Sequence, residues 1–468
     1  MALARTPAHD RSSPIDIAAL SAGITGTVIL PEDESYDVAR LVHNRNVDRR
    51  PALIVKAAGS ADVVRTVLFA REAGLELAVR GGSHSLAGYG TSDGGIVLDL
   101  SSMKGLHIDP ERRLAWAQAG LTAGEYTAAA GAHGLATPFG DTGSVGISGL
   151  TLGGGIGWLV RKYGLAIDAL VSVEIVTADG RIITASAEEH SDLFWAVRGG
   201  GGNFGVVTRF QFRLFPVGMI FGGALFMPPT KDVLRSLGPI AASAPEALTT
   251  ISFLMKAPPA PFIPAELHGQ PTLAIMFVFD GDPEAGAAAI EPFRQVATPM
   301  AELVMPMPYV GIYELLKSAE NPSPAAHRSL FLDTLDDAAI DAILEHTAAA
   351  SSPATMTEIR ILGGAMARVP AGETAFAHRD AGMFVMIITP FEDPAEAPVH
   401  QAFTQAYYEA LRPGSTGVYA NFLEVEGEAR IHEAYPELTY HRLADVKRRY
   451  DPTNLFRLNQ NIRPAAES

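Results

Sequence analysis

Glycine is concentrated in one part of this chain, between residues 81 and 205. Because glycine lacks a Cβ atom, it allows positive φ angles and lets another group come close to backbone amides. One glycine run is typical of a tight turn. Three runs in one half of a chain favour a long, phosphate-bearing ligand laid across several loops. The runs read RGGSHSLAGYG (80–90), GDTGSVGISGLTLGGGIGW (140–158) and RGGGGNFG (198–205).

Length, charge and composition set the class of protein. A chain of 468 residues is too long for one ordinary domain, so we expect two. A formal net charge of −16 argues against nucleic-acid or anionic membrane partners, which attract clustered Lys and Arg. The chain has no cysteine, which excludes disulfides, thiolate metal sites and cysteine nucleophiles. No apolar run reaches the ~18 residues of a membrane span, and the start lacks the apolar region of a signal peptide, so we expect a cytoplasmic protein.

Hydrophobic spacing predicts both helices and strands. The segment from Ser60 to Gly74 has apolar residues at helical spacing, with Ser60 as the expected cap, and a short strand follows at 77–79. VSVEIVTADGRIITAS predicts a hairpin that turns at 178–180. These elements favour an α+β fold.

The texture of the sequence changes after Pro216. Before it, VVTRFQFRLFP alternates apolar and polar residues, as a half-buried strand does. After it, strands and helices are broken by prolines, so we place a domain boundary there. The end of the chain reads as a basic amphipathic helix, a turn at 451–454 and a polar tail.

The third glycine run matches a dinucleotide fingerprint, but its context is wrong. Gly200, Gly202 and Gly205 have the G-x-G-x-x-G spacing, which requires a strand before it and a helix after it. Here an amphipathic segment precedes and a strand follows, so the context argues against a Rossmann NAD site. The histidines have no metal-ligand spacing, and we expect no metal site.

Four segments carry a family resemblance: AVRGGSHSLAGYG, VGISGLTLGGGIGWLVRKYGLAIDALVSVEIVTADG, DLFWAVRGGGGNFGVVT and YDPTNLFRLNQNI. Together they resemble the vanillyl-alcohol-oxidase superfamily, in its berberine-bridge-enzyme-like branch. The family motifs cover about residues 50–215 and 440–463, and GGAMARVPAGETAFAHRDA is similar to bacterial members of the 6-hydroxynicotine oxidase kind. The resemblance implies an FAD domain at 1–216, completed by 439–468. It also implies a substrate domain at 217–438, an antiparallel sheet backed by helices.

The resemblance gives His84 a specific role. It stands where the family histidine bonds covalently to the 8α-methyl carbon of the flavin. Many relatives add a second link through a cysteine, but here Thr142 occupies that position, and a hydroxyl cannot form the thioether. The resemblance therefore implies FAD attached once, through His84.

The resemblance also assigns the other FAD contacts by motif. They fall into four sets: pyrophosphate, close backbone approach, adenine side and ring edge. In that order the sets are Arg80, Gly81, Gly82, Ser83, Ser85, Gly140, Ser144 and Gly146; Gly149, Gly153, Gly154, Gly155 and Gly157; Gly205 and Val207; and Asn459 and Asn461.

The substrate side leaves alternatives open. Glu358, Arg360 and Leu362 alternate onto one strand face, which either looks at the flavin or forms an ordinary solvated ion pair. Tyr419 and Asn421 are expected to share another face and resemble the family Y-x-N, where the tyrosine helps to deprotonate substrate. A phenol is a poor base unless a cation such as Arg360 favours the phenolate. The alternative is a tyrosine that only fills the core.

The resemblance implies a flavin oxidase acting on a small molecule and O₂, with release of hydrogen peroxide. Val145 would border the flavin edge that O₂ approaches, and a valine leaves room there. The catalytic candidates are thus Tyr419, Glu358, Arg360 and Val145. The alternatives are a flavin dehydrogenase, an oxygenase tailoring a secondary metabolite, or a non-catalytic flavin- or ligand-binding protein. The sequence leaves the substrate and the oligomeric state open.

Overall fold

The computed structural model describes residues 17–317 and 322–466. Within these ranges, the first part of the chain forms a four-stranded sheet, a five-stranded sheet and a two-stranded pair, and the second part forms an eight-stranded sheet. This mixture confirms the predicted α+β class. Residues 1–16 and 467–468, the ends of the predicted FAD domain, lie outside the described residues. No helix in the described ranges is long and apolar enough to cross a membrane.

The sheets of the first part differ in strand direction. In the four-stranded sheet three strands run parallel and the first runs antiparallel, whereas the five-stranded sheet is antiparallel throughout. The strands are β1 (Thr27–Ile29), β2 (Leu53–Lys56), β3 (Leu77–Arg80), β4 (Ile96–Asp99), β5 (Leu106–Asp109), β6 (Leu114–Gln118), β7 (Leu135–Ala136), β8 (Leu170–Val176), β9 (Ile182–Ser186), β10 (Val206–Arg213) and β11 (Phe215–Pro216). The spatial orders are β1-β2-β4-β3 and β5-β6-β10-β8-β9, and β11 pairs with β7.

Short helices connect these strands. The helices are α1 (Ile17–Gly23), α2 (Tyr36–Ala39), α3 (Ser60–Ala73), α4 (Ala123–Gly131), α5 (Ile147–Gly153), α6 (Val160–Tyr163) and α7 (Ser191–Val197), with a 3₁₀ turn at Ala166–Asp168. Helix α4 starts with a capping box. The Thr122 hydroxyl accepts from the Glu125 amide, and the Glu125 carboxylate accepts from the Thr122 amide.

Helix α3 ends as predicted but begins one residue earlier than expected. Gly74 closes it with a φ of 62°, a left-handed angle that favours glycine. The predicted cap at Ser60 is wrong, because Gly59 is the capping residue and Ser60 is already helical. The Ser60 hydroxyl instead donates to Glu174 on β8, at 2.7 Å. That contact joins the helix to the five-stranded sheet.

The two predicted strand patterns of the first part are confirmed. β8 and β9 pair as a hairpin around 178–180, where Gly180 has a φ of 82°. On β10 the alternation separates two environments, since Phe210 and Phe212 are fully buried whereas Arg213 is exposed. Helix α7 precedes β10, which is the order that excludes a Rossmann fingerprint.

The second part of the chain is dominated by one antiparallel sheet. Its strands are β12 (Met219–Met227), β13 (Leu248–Lys256), β14 (Pro271–Phe279), β15 (Ala301–Pro308), β16 (Ala325–Leu332), β17 (Met356–Ile361), β18 (Met383–Pro390) and β19 (Ser415–Gly417). The order is β15-β12-β14-β13-β17-β18-β16-β19. The change of sheet falls beside Pro216, although the exact domain bounds remain a prediction.

Four helices cover one face of the large sheet. The helices of this part are α8 (Lys231–Ser243), α9 (Pro283–Val296), α10 (Gly311–Leu316), α11 (Asp337–Ala348), α12 (Ala365–Arg368), α13 (Ala397–Leu411), α14 (Glu428–Ala434) and α15 (Glu437–Tyr450). Short 3₁₀ turns lie at Ala265–Leu267, Pro394–Glu396, Arg412–Gly414 and Ala420–Phe422. Apolar residues of α8, α9, α11 and α13 form one buried core with this face of the sheet.

The opposite face of the sheet points towards the first part of the chain. Strand β17 shows the division, since Ile359 and Ile361 lie in the core under the helices while Glu358 and Arg360 point the other way. Fully burying an isoleucine side chain is worth about 1.5–3 kcal/mol. The apolar positions therefore fix the register of β17 and with it the direction of the two charged side chains.

The end of the chain returns to the first part. On α15, Lys447 is fully buried and its ammonium group donates to Asp451 and to the carbonyls of Asn203 and Phe456, all within 2.8 Å. The Asn203 side chain in turn accepts from the Ile462 amide, at 2.9 Å. These bonds fasten the tail against the third glycine run, as the buried side of the predicted amphipathic helix requires.

Candidate active site

A cavity of about 650 Å³ lies between the glycine loops and the open face of the large sheet. Its walls come from the first part of the chain, from β13, β16, β17 and β18, and from the C-terminal tail. The predicted residues that line it are Arg80, Gly81, Gly82, Ser83, His84, Ser85, Gly140, Val145, Gly146, Gly149, Gly153, Gly205, Val207, Glu358, Arg360, Tyr419 and Asn459. Five predicted residues are not among its lining: Ser144, Gly154, Gly155, Gly157 and Asn461.

Some glycines are needed because two loops touch each other. A Cβ on Gly82 would lie 2.2 Å from the Gly146 amide nitrogen, and one on Gly146 would lie 2.4 Å from that of Gly82. A Cβ on Gly157 would lie 1.8 Å from the Phe139 carbonyl oxygen. Substitution at these positions would force backbone apart. Here glycine serves close packing of the protein against itself.

Other glycines border open space. A Cβ on Gly149 or on Gly202 would meet no atom within 4 Å, and both residues line the cavity. Gly201 also lines it, with a φ of 71° that favours glycine. These positions leave backbone amides accessible from the cavity, which is the arrangement that a phosphate-bearing ligand uses.

The Arg80 side chain is held by the protein. Its guanidinium donates to Asp99 and to the Ala39 carbonyl, each at 2.7 Å, and the residue is buried. Both partners anchor β3 to neighbouring segments. The part of Arg80 left for a ligand is therefore its backbone, at the start of the first glycine run.

His84 sits in the first glycine run on a neighbouring histidine. The imidazole rings of His43 and His84 are stacked, with centroids 4.1 Å apart, and Nε2 of His84 is hydrogen-bonded to the Ser144 hydroxyl at 3.2 Å. Burial, and secondly the charge of His43, lower the pKa of His84 to about 3, although a hydrogen bond with the backbone of Ser144 acts the other way. The imidazole is therefore neutral at pH 7 and can act as a nucleophile.

Glu358 and Arg360 belong to a buried charged group. Arg360 donates to Glu358 through Nε, to Asp141 through Nη2 at 2.9 Å and to the Ile156 carbonyl through Nη1 at 3.2 Å. The Glu358 and Arg360 side chains are only 5% and 4% exposed, so the alternative of a solvated ion pair is wrong. Burial raises the pKa of Glu358; Arg360 opposes that rise, and Asp141 adds to it.

Tyr419 receives two hydrogen bonds at its hydroxyl. The Gly155 amide donates to it at 2.8 Å and the Asn421 side-chain amide at 2.9 Å. The prediction that Tyr419 and Asn421 share a strand face is wrong, because Tyr419 directly precedes the 3₁₀ turn at Ala420–Phe422 and Asn421 lies within it. Burial raises the pKa of Tyr419, and the two donors and Arg360 only partly offset it. The expected depression by Arg360 thus acts, but burial outweighs it.

Val145 lies beside the His84 loop. Its side chain is half-buried and lines the cavity, while its carbonyl accepts from the Ala123 amide at 2.9 Å. Thr142, the residue at the second attachment position of many relatives, lines the same cavity. Because Ala123 is the first residue of α4, its bond to Val145 holds the backbone of this loop against that helix.

Two side chains of the tail contribute polar atoms. The Oδ1 atoms of Asn459 and Asn461 are buried without a hydrogen-bond partner in the described part of the chain. Asn459 lines the cavity, and its Nδ2 donates to the Phe456 carbonyl at 3.1 Å. A buried acceptor without a partner is costly unless a ligand or water supplies a donor.

Sequence reasoning missed His43, Asp141 and Asn203. Asp141 stands in the second glycine run, where a charge between glycines was an available signal. Asn203 stands in the third run, within the FAD motif. Nothing in the sequence around His43 pointed to the stacked pair. Among the described residues, no group of three or more His, Asp and Glu side chains could hold a metal ion.

Comparisons with known proteins agree with this architecture. A family model described as "FAD binding domain" matches residues 51–186, and one described as "Berberine and berberine like" matches residues 418–463. The first model covers the first two glycine runs, and the second covers the segment from Tyr419 to the tail, whereas the third glycine run at 198–205 lies outside both.

Relatives match nearly the whole chain. It is 31% identical over 458 residues to an uncharacterized FAD-linked oxidoreductase of Bacillus subtilis, covering 95% of this chain and 98% of that protein. It is 32% identical over 465 residues to (R)-6-hydroxynicotine oxidase of Paenarthrobacter nicotinovorans, covering 94% and 97%. The crystal structure of 6-hydroxy-D-nicotine oxidase from Arthrobacter nicotinovorans is similar with a TM-score of 0.85 at 28% identity, covering 97% of this chain and 100% of that one. With cofactor loops, sheet and tail all matched, the chain belongs to the FAD-linked oxidoreductases of the berberine-bridge-enzyme-like family, and it is an enzyme of that kind.

Proposed function

We propose that this enzyme is an oxidase that carries FAD bound once, through His84, and oxidises a small molecule with reduction of O₂ to hydrogen peroxide. The observation that carries the proposal is that a neutral histidine and a buried acid–base group face one cavity. His84 lies on one wall, and Glu358, Arg360 and Tyr419 lie on another. The domain bounds 1–216 with 439–468, and 217–438, are part of the proposal.

The residues around the cavity fit FAD. The open space at Gly149 and Gly202 leaves room for a dinucleotide against the backbone. The Oδ1 atom of Asn459 is a buried acceptor that awaits a donor. The remaining assigned contacts, from Ser83 to Val207, would hold the cofactor mainly through backbone. FAD supplies a ring that accepts a hydride and passes the electrons on.

His84 has the properties that a covalent link requires. A nucleophile needs its lone pair, and the low pKa of His84 keeps the ring neutral. The Ser144 hydroxyl and the stacked His43 ring fix its orientation. Because Thr142 cannot form a thioether, His84 is the single attachment point of the proposal.

The sheet face would handle the substrate proton. Glu358 has a raised pKa, which makes its carboxylate a stronger base than an exposed one. Tyr419 accepts two hydrogen bonds, which help its phenolate form, and it lies in the same wall. Arg360 would hold the substrate oxygen or nitrogen, or the anion left after proton transfer, through its charge. We assign the proton transfer to Tyr419 and Glu358 together, with Tyr419 tested first.

The name of one relative narrows the search for substrates. A relative that matches nearly the full length is named for oxidation of a hydroxylated nicotine. Alcohols, sugars, hydroxylated aromatics and amines are the compounds to screen, with peroxide release as the readout. Bleaching of the yellow protein by one compound without air, followed by recovery in air and peroxide, is the expected result.

Two other functions remain to be separated from this one. A dehydrogenase or oxygenase would bleach with substrate but recover slowly in air or without stoichiometric peroxide. A non-catalytic flavin-binding protein would not bleach with any compound. The half-buried Val145, which is small and bears no hydroxyl, favours the oxidase.

A further inference from the structure

Two carboxylates share one guanidinium on the substrate side of the cavity. Asp141 comes from the second glycine run and Glu358 from β17, and both accept from Arg360. The side chains are 15%, 5% and 4% exposed for Asp141, Glu358 and Arg360. One buried positive charge therefore faces two negative ones, and a third acceptor, the Ile156 carbonyl, takes another donor of Arg360.

The surroundings of Glu358 are otherwise apolar. Across the sheet its Cα partners are Phe253 on β13 and Met386 on β18. The Arg360 guanidinium lies 5.5 Å from the ring centre of Phe384 and 5.3 Å from that of Phe422. Such walls exclude water, so charge–charge interactions act at greater strength than at the surface.

Few other ionisable groups reach this group. In the described part of the chain, the charges that act on Glu358 are those of Arg360 and Asp141. The charge of Tyr419 acts on Arg360 and raises its pKa. His327 of β16 lines the same cavity, but its Nδ1 is hydrogen-bonded to Glu424 at 3.1 Å. The pKa of Glu358 therefore depends mainly on how the Arg360 guanidinium is shared between the carboxylates of Glu358 and Asp141.

We propose that Asp141 is a positioning residue: it competes with Glu358 for the single Arg360 guanidinium and so keeps Glu358 a strong enough base to take the substrate proton. A carboxylate that had Arg360 to itself would be too well stabilised as an anion. The direction of the pKa of Glu358 agrees, since Asp141 raises it and Arg360 lowers it. The inference rests on the proposed role of Glu358 in proton transfer.

The test is the pH dependence of Asp141→Asn. Asparagine keeps the shape and can still accept from Arg360 through Oδ1, but it removes the charge. In anaerobic flavin reduction by substrate, the acid limb of the pH profile should move to lower pH by about one unit. The plateau rate should fall several-fold, because the base is weaker. Asp141→Glu keeps the negative charge and should give the pH profile of the unaltered enzyme. Asp141→Ser is a second neutral variant, to be used if Asp141→Asn folds poorly.

A second readout does not depend on turnover. The infrared band of the protonated Glu358 carboxyl, followed by pH titration of the holoenzyme, should have a lower midpoint in Asp141→Asn. Glu358→Gln identifies the band by removing it. Asp280→Asn is the matched control, since Asp280 is a buried carboxylate bonded to Lys162 and Tyr163, and it is not among the charges that act on Glu358. Its midpoint should equal that of the unaltered enzyme.

The outcomes separate this inference from the proposed function. An unchanged midpoint and an unchanged acid limb in Asp141→Asn, with normal flavin content, would overturn the role of Asp141 and leave the oxidase proposal intact. Full-speed reduction in Glu358→Gln would overturn the role of Glu358 in proton transfer, and the inference with it. In that case peroxide release by the unaltered enzyme would still decide whether it is an oxidase.

Discussion

The glycine loops around His84 and the sheet face that carries Glu358 line the same cavity but are made by different means. The loops present backbone, and their close contacts, as between Gly82 and Gly146, allow only glycine. The sheet face presents charged side chains whose direction is set by the apolar register of β17. Substitution at a loop contact such as Gly82 would therefore displace backbone, whereas substitution on the sheet face would change the charged groups that line the cavity. Variants on each side should accordingly fail in different ways.

The largest effect is expected on the loop side, at His84. His84→Ala should abolish acid-stable flavin completely, because no cysteine offers a second attachment. The loops remain, so FAD should still bind noncovalently, with lower occupancy. Acid precipitation followed by mass mapping of the flavin peptide measures this. In the unaltered enzyme one flavin should map to the peptide that contains His84, and free flavin in its supernatant would contradict the prediction.

On the sheet side, Tyr419→Phe should slow anaerobic flavin reduction by about 10²-fold or more while covalent flavin stays normal. The change keeps the ring and removes only the hydroxyl that Gly155 and Asn421 contact. Tyr408 is a buried tyrosine of α13 that does not line the cavity, so Tyr408→Phe is the control and should be reduced at the normal rate. Unchanged reduction in Tyr419→Phe would shift the role to Glu358, for which Glu358→Gln is the next test.

A third variant tests whether the contact of the tail with the third glycine run is needed for FAD binding. Lys447→Met leaves Asp451 charged and buried without its partner, which costs about 3–5 kcal/mol in comparable pairs. The urea midpoint of unfolding should fall accordingly, and FAD occupancy should drop with it. Arg448 lies on the same helix, and its exposed side chain contacts Asp445 and the Ala466 carbonyl. Because such surface contacts are worth about 0–1 kcal/mol, Arg448→Met should lower the midpoint little and leave FAD occupancy unchanged. Equal midpoint shifts in the two variants would show that the buried pair has no special weight.

Val145 separates the two half-reactions. Val145→Leu adds one methylene to the loop beside His84, so reoxidation by O₂ should slow about tenfold, or 1.4 kcal/mol in the barrier. Reduction by substrate depends on the sheet face and should change little. Stopped-flow traces with both steps unaffected, or slow reoxidation already in the unaltered enzyme, would favour the dehydrogenase.

The smallest effect is an expected absence of pH dependence. For a histidine with the ordinary pKa near 6.5, the neutral fraction would fall about 25-fold between pH 7 and pH 5. The pKa of His84, near 3, keeps the ring neutral throughout that range. Mixing flavin-free protein with FAD should therefore give the same rate of covalent attachment at pH 7 and pH 5. A fall that tracks a pKa near 6.5 would show that His84 is accessible to protons.

The same contrast explains what could be predicted from the sequence. Gly74 and the 178–180 hairpin could be predicted because each depends on neighbouring residues in the chain. The contact of Asp141 with Arg360 spans 219 residues, and no local pattern encodes it. Tyr419 and Asn421 were placed correctly in the cavity wall but with the wrong backbone, since alternation over three residues fits a strand and a 3₁₀ turn alike.

The bonds of the tail also bear on when the cofactor site can form during synthesis. The Asn203 side chain accepts a hydrogen bond from the Ile462 amide, 259 residues further along the chain, and the Asn203 carbonyl accepts one from Lys447. A nascent chain that has completed its glycine loops therefore lacks one wall of the cavity until the segment from Lys447 to Ile462 has been synthesised. We therefore expect FAD to bind only after this segment has been synthesised. Chains that stop before Lys447 should contain no FAD and be colourless, even where their first part has folded.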